Sequence, residues 1–195
     1  MDARISRLRR KLAAVPFQPL RSHSFGEEQH QFCLGPKLAE TRVAAFEAEH
    51  GILLPGAYRQ FLTHVGGSGA GPFYGLMPLE RCSLMVMHSG GGPGTPRGFD
   101  VAGTGDHQRG LFLHIIEMGC TDVCLIAVTG PLTGRILIGN SDGFWGPDVS
   151  SATDFLDWYE RWLNHMIAGR DDRALELTSP QLRARQDRHR MAPEL

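Results

Sequence analysis

The run Gly139-Asn140-Ser141-Asp142-Gly143 fits Gly-x-Ser-x-Gly, the spacing that lifts a serine nucleophile onto a sharp turn between a strand and a helix. Phe-Trp-Gly-Pro-Asp follows it, which cannot begin a helix at once, and only His165 and His189 lie downstream to act as base. Asn, Ser, Asp and Gly also make an ordinary turn, and that is the reading adopted. Cys120 and Cys124, with His107 and His114, suggest a metal set. Zinc modules, however, show a second clear ligand pair. On a strand over 123–128, Cys124 would share a face with Ile126 and Val128 and behave as a small buried hydrophobe. A Cys120 nucleophile would need a base brought close in space. No glycine cluster fits Gly-x-Gly-x-x-Gly, and both lysines, Lys11 and Lys37, are followed by Leu, which excludes a phosphate-binding Gly-Lys-Ser/Thr loop. The residues therefore predict no catalytic site, no metal and no cofactor. A hydrolase using Ser141 or Cys120 is the minor alternative.

The elements that would carry these residues can be placed from periodicity. Residues 3–14 predict a basic helix with Ile5, Leu8 and Leu12 on one side, docking loosely on the domain. Residues 15–36 should be mostly irregular. A helix over 37–50 places Ala39, Val43, Phe46 and His50 on one face, and Gly51 stops it. A second starts at Pro55, with Tyr58, Phe61, Leu62 and Val65 at buried-stripe spacing. The short connection predicts a helical hairpin. Ser83–Met87 predicts a short strand, and the glycines from Gly90 to Gly98 predict a mobile loop. Leu111–Ile116, Val123–Val128 and Arg135–Ile138 are rich in large apolar and β-branched residues, and their short connections require an antiparallel meander. A last helix, about 152–168, carries Phe155, Trp158, Tyr159, Trp162 and Met166 as a core stripe, capped by Ser151 with Asp154. Short helices are possible at 171–177 and 180–190.

The chain has 195 residues, 42% hydrophobic and 21% charged, enough for one sizeable core without disulfides. Its four cysteines, Cys33, Cys82, Cys120 and Cys124, are expected as free thiols of a cytoplasmic protein, with no apolar run long enough to span a membrane. The net charge of −1 is an average over unlike parts. Residues 1–25 carry +5, residues 26–160 carry −8 and residues 161–195 carry +2. The division expected is a basic extension over 1–24, a domain over 25–168 and an Arg-rich extension over 169–195. An acidic domain disfavours direct nucleic-acid binding and suits a basic protein partner. Candidate contacts are the acids near turns, Asp106, Glu117, Asp122, Asp142 and Asp148, with the aromatic pair Phe144 and Trp145.

Several motifs then point to a family. Phe46-Glu47-Ala48-Glu49-His50-Gly51-Ile52-Leu53-Leu54-Pro55 is followed by Tyr58-Arg59-Gln60-Phe61-Leu62 and by Gly67-Ser68-Gly69-Ala70-Gly71-Pro72-Phe73-Tyr74-Gly75-Leu76. Gly119-Cys120, Leu125 to Gly130, Gly134-Arg135 and the Phe-x-x-Trp-Tyr-x-x-Trp-Leu within Ser151 to Leu163 continue the order. Phe25-Gly26 with His30 and Phe32 forms the lead-in. In order and spacing, residues 25–165 resemble the SUKH superfamily, whose namesakes include the fungal Smi/Knr regulators of cell-wall synthesis. The resemblance implies an α+β fold: a mostly antiparallel sheet flanked by an N-terminal helical hairpin and a C-terminal helix. It also implies a non-enzymatic role, most often as a bacterial immunity protein bound to a polymorphic or contact-dependent toxin, in many cases a nuclease. A regulatory or scaffold protein with an endogenous partner is the alternative it allows.

Overall fold

The computed structural model describes residues 2–23, 25–88, 97–143 and 147–170. The expected loop over 90–98, the Phe144–Trp145 pair and the two short helices expected after 170 lie wholly or mostly outside these residues. The described fold is α+β. In chain order it has α1 (Ala3–Ala14), α2 (Glu40–His50), α3 (Gly56–His64), β1 (Leu84–His88), β2 (Gly98–Val101), β3 (Leu111–Glu117), β4 (Asp122–Ala127), β5 (Ile136–Asn140), β6 (Asp148–Val149) and α4 (Phe155–Ile167). The strands form one antiparallel sheet in the order β2-β1-β3-β4-β5-β6. The β3–β4–β5 meander is present as the sequence predicts. β2 and the two-residue β6 carry too few apolar residues to announce themselves and extend it at both edges.

One face of the sheet receives the helices. The α4 stripe is sealed there, with Phe155, Tyr159, Trp162 and Met166 at 0% exposure. Burying a side chain of this size contributes about 2–3 kcal/mol before entropy is counted. Tyr58 and Phe61 of α3 pack their rings on Phe155 and Tyr159. α2 ends where Gly51 takes a φ of 63°, and it is tied to α3 through Arg59, which pairs with Glu40 and with the buried Glu47. Glu47 also accepts the Leu54 N–H at 2.9 Å, so a residue outside the expected apolar face anchors the interhelical turn. Pro55 stands one position earlier than expected, just outside α3. The α4 cap is also shifted. Asp154, not Ser151, accepts the Asp157 N–H, and Asp157 accepts the Thr153 N–H.

α1 is no loosely docked surface helix. Ile5, Leu8, Leu12 and Val15 are buried in the same core as α4. Charges reinforce the contact: Arg4 bonds Asp154, Arg7 grips both oxygens of Glu160, and Lys11 reaches Glu160 and Asn164. The hydrogen bond from Arg7 is the largest reason the Glu160 carboxyl is held below its ordinary value. The basic N-terminal segment thus neutralises acids of the middle segment, which the charge partition alone could not reveal.

The sheet's other face has a smaller core of Met85, Phe99, Phe112, Val123, Leu125, Ala127 and Leu137. The β1–β2 hairpin curls back over it until the Phe99 N–H reaches the Ser141 carbonyl at 3.3 Å. The Phe99 ring lies against Gly139, where a Cβ would sit 2.4 Å from it. Among the described residues no helix is long and apolar enough to cross a membrane.

Candidate functional site

The β3–β4 hairpin turns through Gly119 and Cys120, whose φ values of 94° and 52° are both left-handed. The Asp122 N–H donates to the Gly119 carbonyl to close the turn. Beside this tip the sheet is prolonged by single antiparallel bridges, Ile116 to Leu76, Leu76 to Gly69, and Gly69 to Leu34. These strung-together backbones floor a cleft of about 570 Å³. Gln29 and His30 line it from one segment, Tyr74 to Pro78 and Arg81 from another, and Glu117 and Cys120 from the hairpin. That volume lies in the range of ligand-binding clefts. Tyr74, 36% exposed, and Phe25, 42% exposed, pack their rings 5.4 Å apart. This places an exposed aromatic pair beside the cleft.

The His30 wall has an unusual local structure. His30 is 7% exposed, with its ring edge-on to Phe32 at 5.5 Å and 6.5 Å from Trp162. Its Nδ1 accepts the Phe32 N–H at 3.0 Å, so the ring proton resides on Nε2. Gln31 and Phe32 both have positive φ, 47° and 58°, without being glycine. Each such residue costs about 1–2 kcal/mol. The turn is held by the imidazole bond, by the Cys33 N–H on the His30 carbonyl at 2.7 Å, and by Phe32 stacking on Trp162. Burial pushes the His30 pKa below its ordinary value, against the pull of Glu27 and Glu28.

The structure gathers some of the expected residues and separates others. Glu117 ends β3, Asp122 begins β4 opposite Asn140, Asp142 follows β5, and Asp148 pairs with Ile138 from β6. Glu117, Asp122 and Asp142 share one end of the sheet, and Asp148 sits beside the middle of β5. Asp106 lies at the other end of β3, in a 3₁₀ turn, where it accepts the Gly103 N–H and pairs with Arg109. Ser141 lies in a turn that leads to β6, and its hydroxyl donates to the Thr121 carbonyl at 3.2 Å. Cys124 is buried, as is Cys82, whose pKa burial pushes up to about 12. Cys33 and Cys120 are exposed thiols. Among the described residues no cluster of three His, Cys, Asp or Glu side chains could hold a metal ion. His30, Tyr74 and Arg81 were not marked as site residues by the sequence. Their meeting depends on bridges between segments some forty residues apart, for which there is no local signal.

A pH prediction follows from the two buried histidines. Burial also lowers the His114 pKa, against the nearby Glu117, 3.9 Å from its Nε2. Between the lowered native values and the unfolded value near 6.5, the unfolded chain binds more protons. Their stability contribution is therefore complete above about pH 6.5 and is lost as pH falls below it. Urea midpoints should decline between pH 7.5 and 5.5, before the paired carboxylates begin to titrate. A flat profile over that window would refute the neutral assignment. Searches of protein-family models, curated proteins and solved structures find nothing that matches this chain.

Proposed function

We propose that this chain is a non-enzymatic protein-binding module of the immunity type, acting in the cytoplasm, that neutralises a toxin domain by covering a basic surface on it. The observation that carries the reading is the composition of one end of the sheet. Glu117, Asp122 and Asp142 lie at that end, and Glu117 also lines the cleft, which has an aromatic pair beside it. Elsewhere many acids are engaged internally: Asp154, Glu160, Glu27, Asp157, Glu40 and Asp106 all pair with arginine. Neither Glu117 nor Asp142 has an Arg or Lys partner among the described residues. Carboxylates left outward-facing in this way attract a basic partner and speed its association, while Tyr74 and Phe25 supply the large rigid contacts that dominate interface energies. The motif order resembling SUKH domains, many of which are immunity proteins, supports the same reading.

Affinity purification from the native host, followed by mass spectrometry, tests it. One toxin domain should co-purify. Its association rate should fall steeply with salt, and Glu117→Lys with Asp142→Lys should weaken binding by about tenfold or more. Capture of an endogenous protein alone would replace the toxin partner with a regulatory one. Binding insensitive to both salt and the charge reversals would remove this face from the interface.

A further inference from the structure

We propose that His30 is a proton-operated latch on the cleft: neutral, it holds the 30–33 turn closed, and protonated, it releases that turn and alters the binding face. The inference rests on the cleft being the partner-binding face, and it names a regulation of that site.

The geometry is specific. The Phe32 N–H can be accepted only by an unprotonated Nδ1. Adding a proton there sets two donors against each other 3.0 Å apart. The bond lost is one of those holding Gln31 and Phe32 left-handed, so the turn has a more relaxed alternative as soon as it breaks. His30 also lies against the opposite wall, since a Cβ on Gly75 would come 2.9 Å from its Cδ2. A swing of the ring therefore changes the shape of the cleft itself.

The surrounding charges set the threshold. Glu27 and Glu28 on its own turn favour the protonated ring. Arg21 grips both Glu27 oxygens and lies 5.1 Å from the Phe32 ring centroid, while His23 pairs with Glu27. Across the cleft stand Tyr74, Arg81, Glu117 and Cys120, and α4 presents the Trp162 ring. Burial opposes protonation and dominates, so the latch is shut at neutral pH and opens on acidification.

Hydrogen exchange of the Phe32 and Cys33 amides in the full chain tests this without any partner. Protection factors, corrected for intrinsic exchange, should fall about tenfold between pH 7.5 and 5.5. In His30→Asn the amide oxygen still accepts the N–H two residues on and does not titrate, so the profile should be flat. Constant protection in the unsubstituted protein overturns the latch. So does an equal fall in His30→Asn, which would assign the effect to other groups. Nitrogen-15 spectra of the unsubstituted protein provide a check independent of whether the variant folds: at pH 7.5 the proton must be on Nε2, and a proton on Nδ1 overturns the proposal. Failure here leaves the binding face standing, and failure to find a partner leaves the exchange result standing.

Discussion

Trp162→Ala is expected to lower the unfolding free energy by about 3–5 kcal/mol, the range for removing a large aromatic from a closed core. Trp162 has 0% exposure. Its ring stacks on Phe32 at 5.7 Å and 9°, meets Tyr159 at 5.1 Å and approaches His30 at 6.5 Å. Removing it leaves a void between α4 and the His30 turn. The indole nitrogen makes no hydrogen bond among the described residues, so the ring contributes packing alone. Trp162→Phe should accordingly lose only about 1–2 kcal/mol. Equilibrium urea unfolding of both variants checks the pair. A Trp162→Ala loss below 1 kcal/mol would remove the ring from its structural role. The alanine variant should also lose amide protection at Phe32 and Cys33 at every pH, since the stack that shapes the turn is gone.

Gly69→Ala is the second large effect, expected to cost about 2–4 kcal/mol by two separate causes. Gly69 has a φ of 90°, which an alanine adopts only with strain. A Cβ there would lie 2.3 Å from the Cys33 carbonyl oxygen, and backbone cannot rotate away as a side chain can. The position exchanges bonds with Leu76 at 2.9 and 2.7 Å, while the next amide, Ala70, donates to Cys33 at 2.8 Å. Displacing Gly69 therefore pulls apart the cleft floor. Gly105→Ala serves as the control. Its φ is −83° and nothing lies within 4 Å of a new Cβ. That variant should be neutral or stabilised by about 0.4–1 kcal/mol, through a less disordered unfolded chain. Equal losses at the two positions would show that glycine content, and not the floor's geometry, sets the cost.

The elements most legible in the sequence are those with a strong local period. The α4 stripe at i, i+3, i+4 and the three apolar strands of the meander are found where expected because burial repeats within each segment. Ile5, Leu8 and Leu12 were also visible as a stripe, yet their depth was not. What buries them is α4, whose Asp154 and Glu160 are some 150 positions away. The cap shift from Ser151 to Asp154 has a similar origin. Both residues can cap, and Arg4 bonding Asp154 favours the second. The site was half legible. Turn acids are easy to mark, but only strand pairing shows that Glu117, Asp122 and Asp142 share an end while Asp106 does not. His30 carried no signal of its role, because its importance comes from burial under Trp162 and from a backbone bond two residues away.

The pairing of α1 with α4 also sets a timetable for synthesis. The apolar stripe of α1 is made first, and the helix that covers it comes about 150 residues later in the chain. At roughly 5–20 residues per second, that leaves the stripe unsatisfied for about 8–30 seconds on the ribosome. During this interval α2, α3 and the meander can already form their local contacts, while Ile5, Leu8 and Leu12 remain available to chaperones or to neighbouring nascent chains. Closure of the core is then a late, long-range event, of the kind that slows folding through the loop that must be closed first. Slowing translation between α1 and α4 should lengthen the exposure and increase aggregation, and a charge placed at Leu8 should abolish docking of α1 while leaving the β3–β4 hairpin able to form.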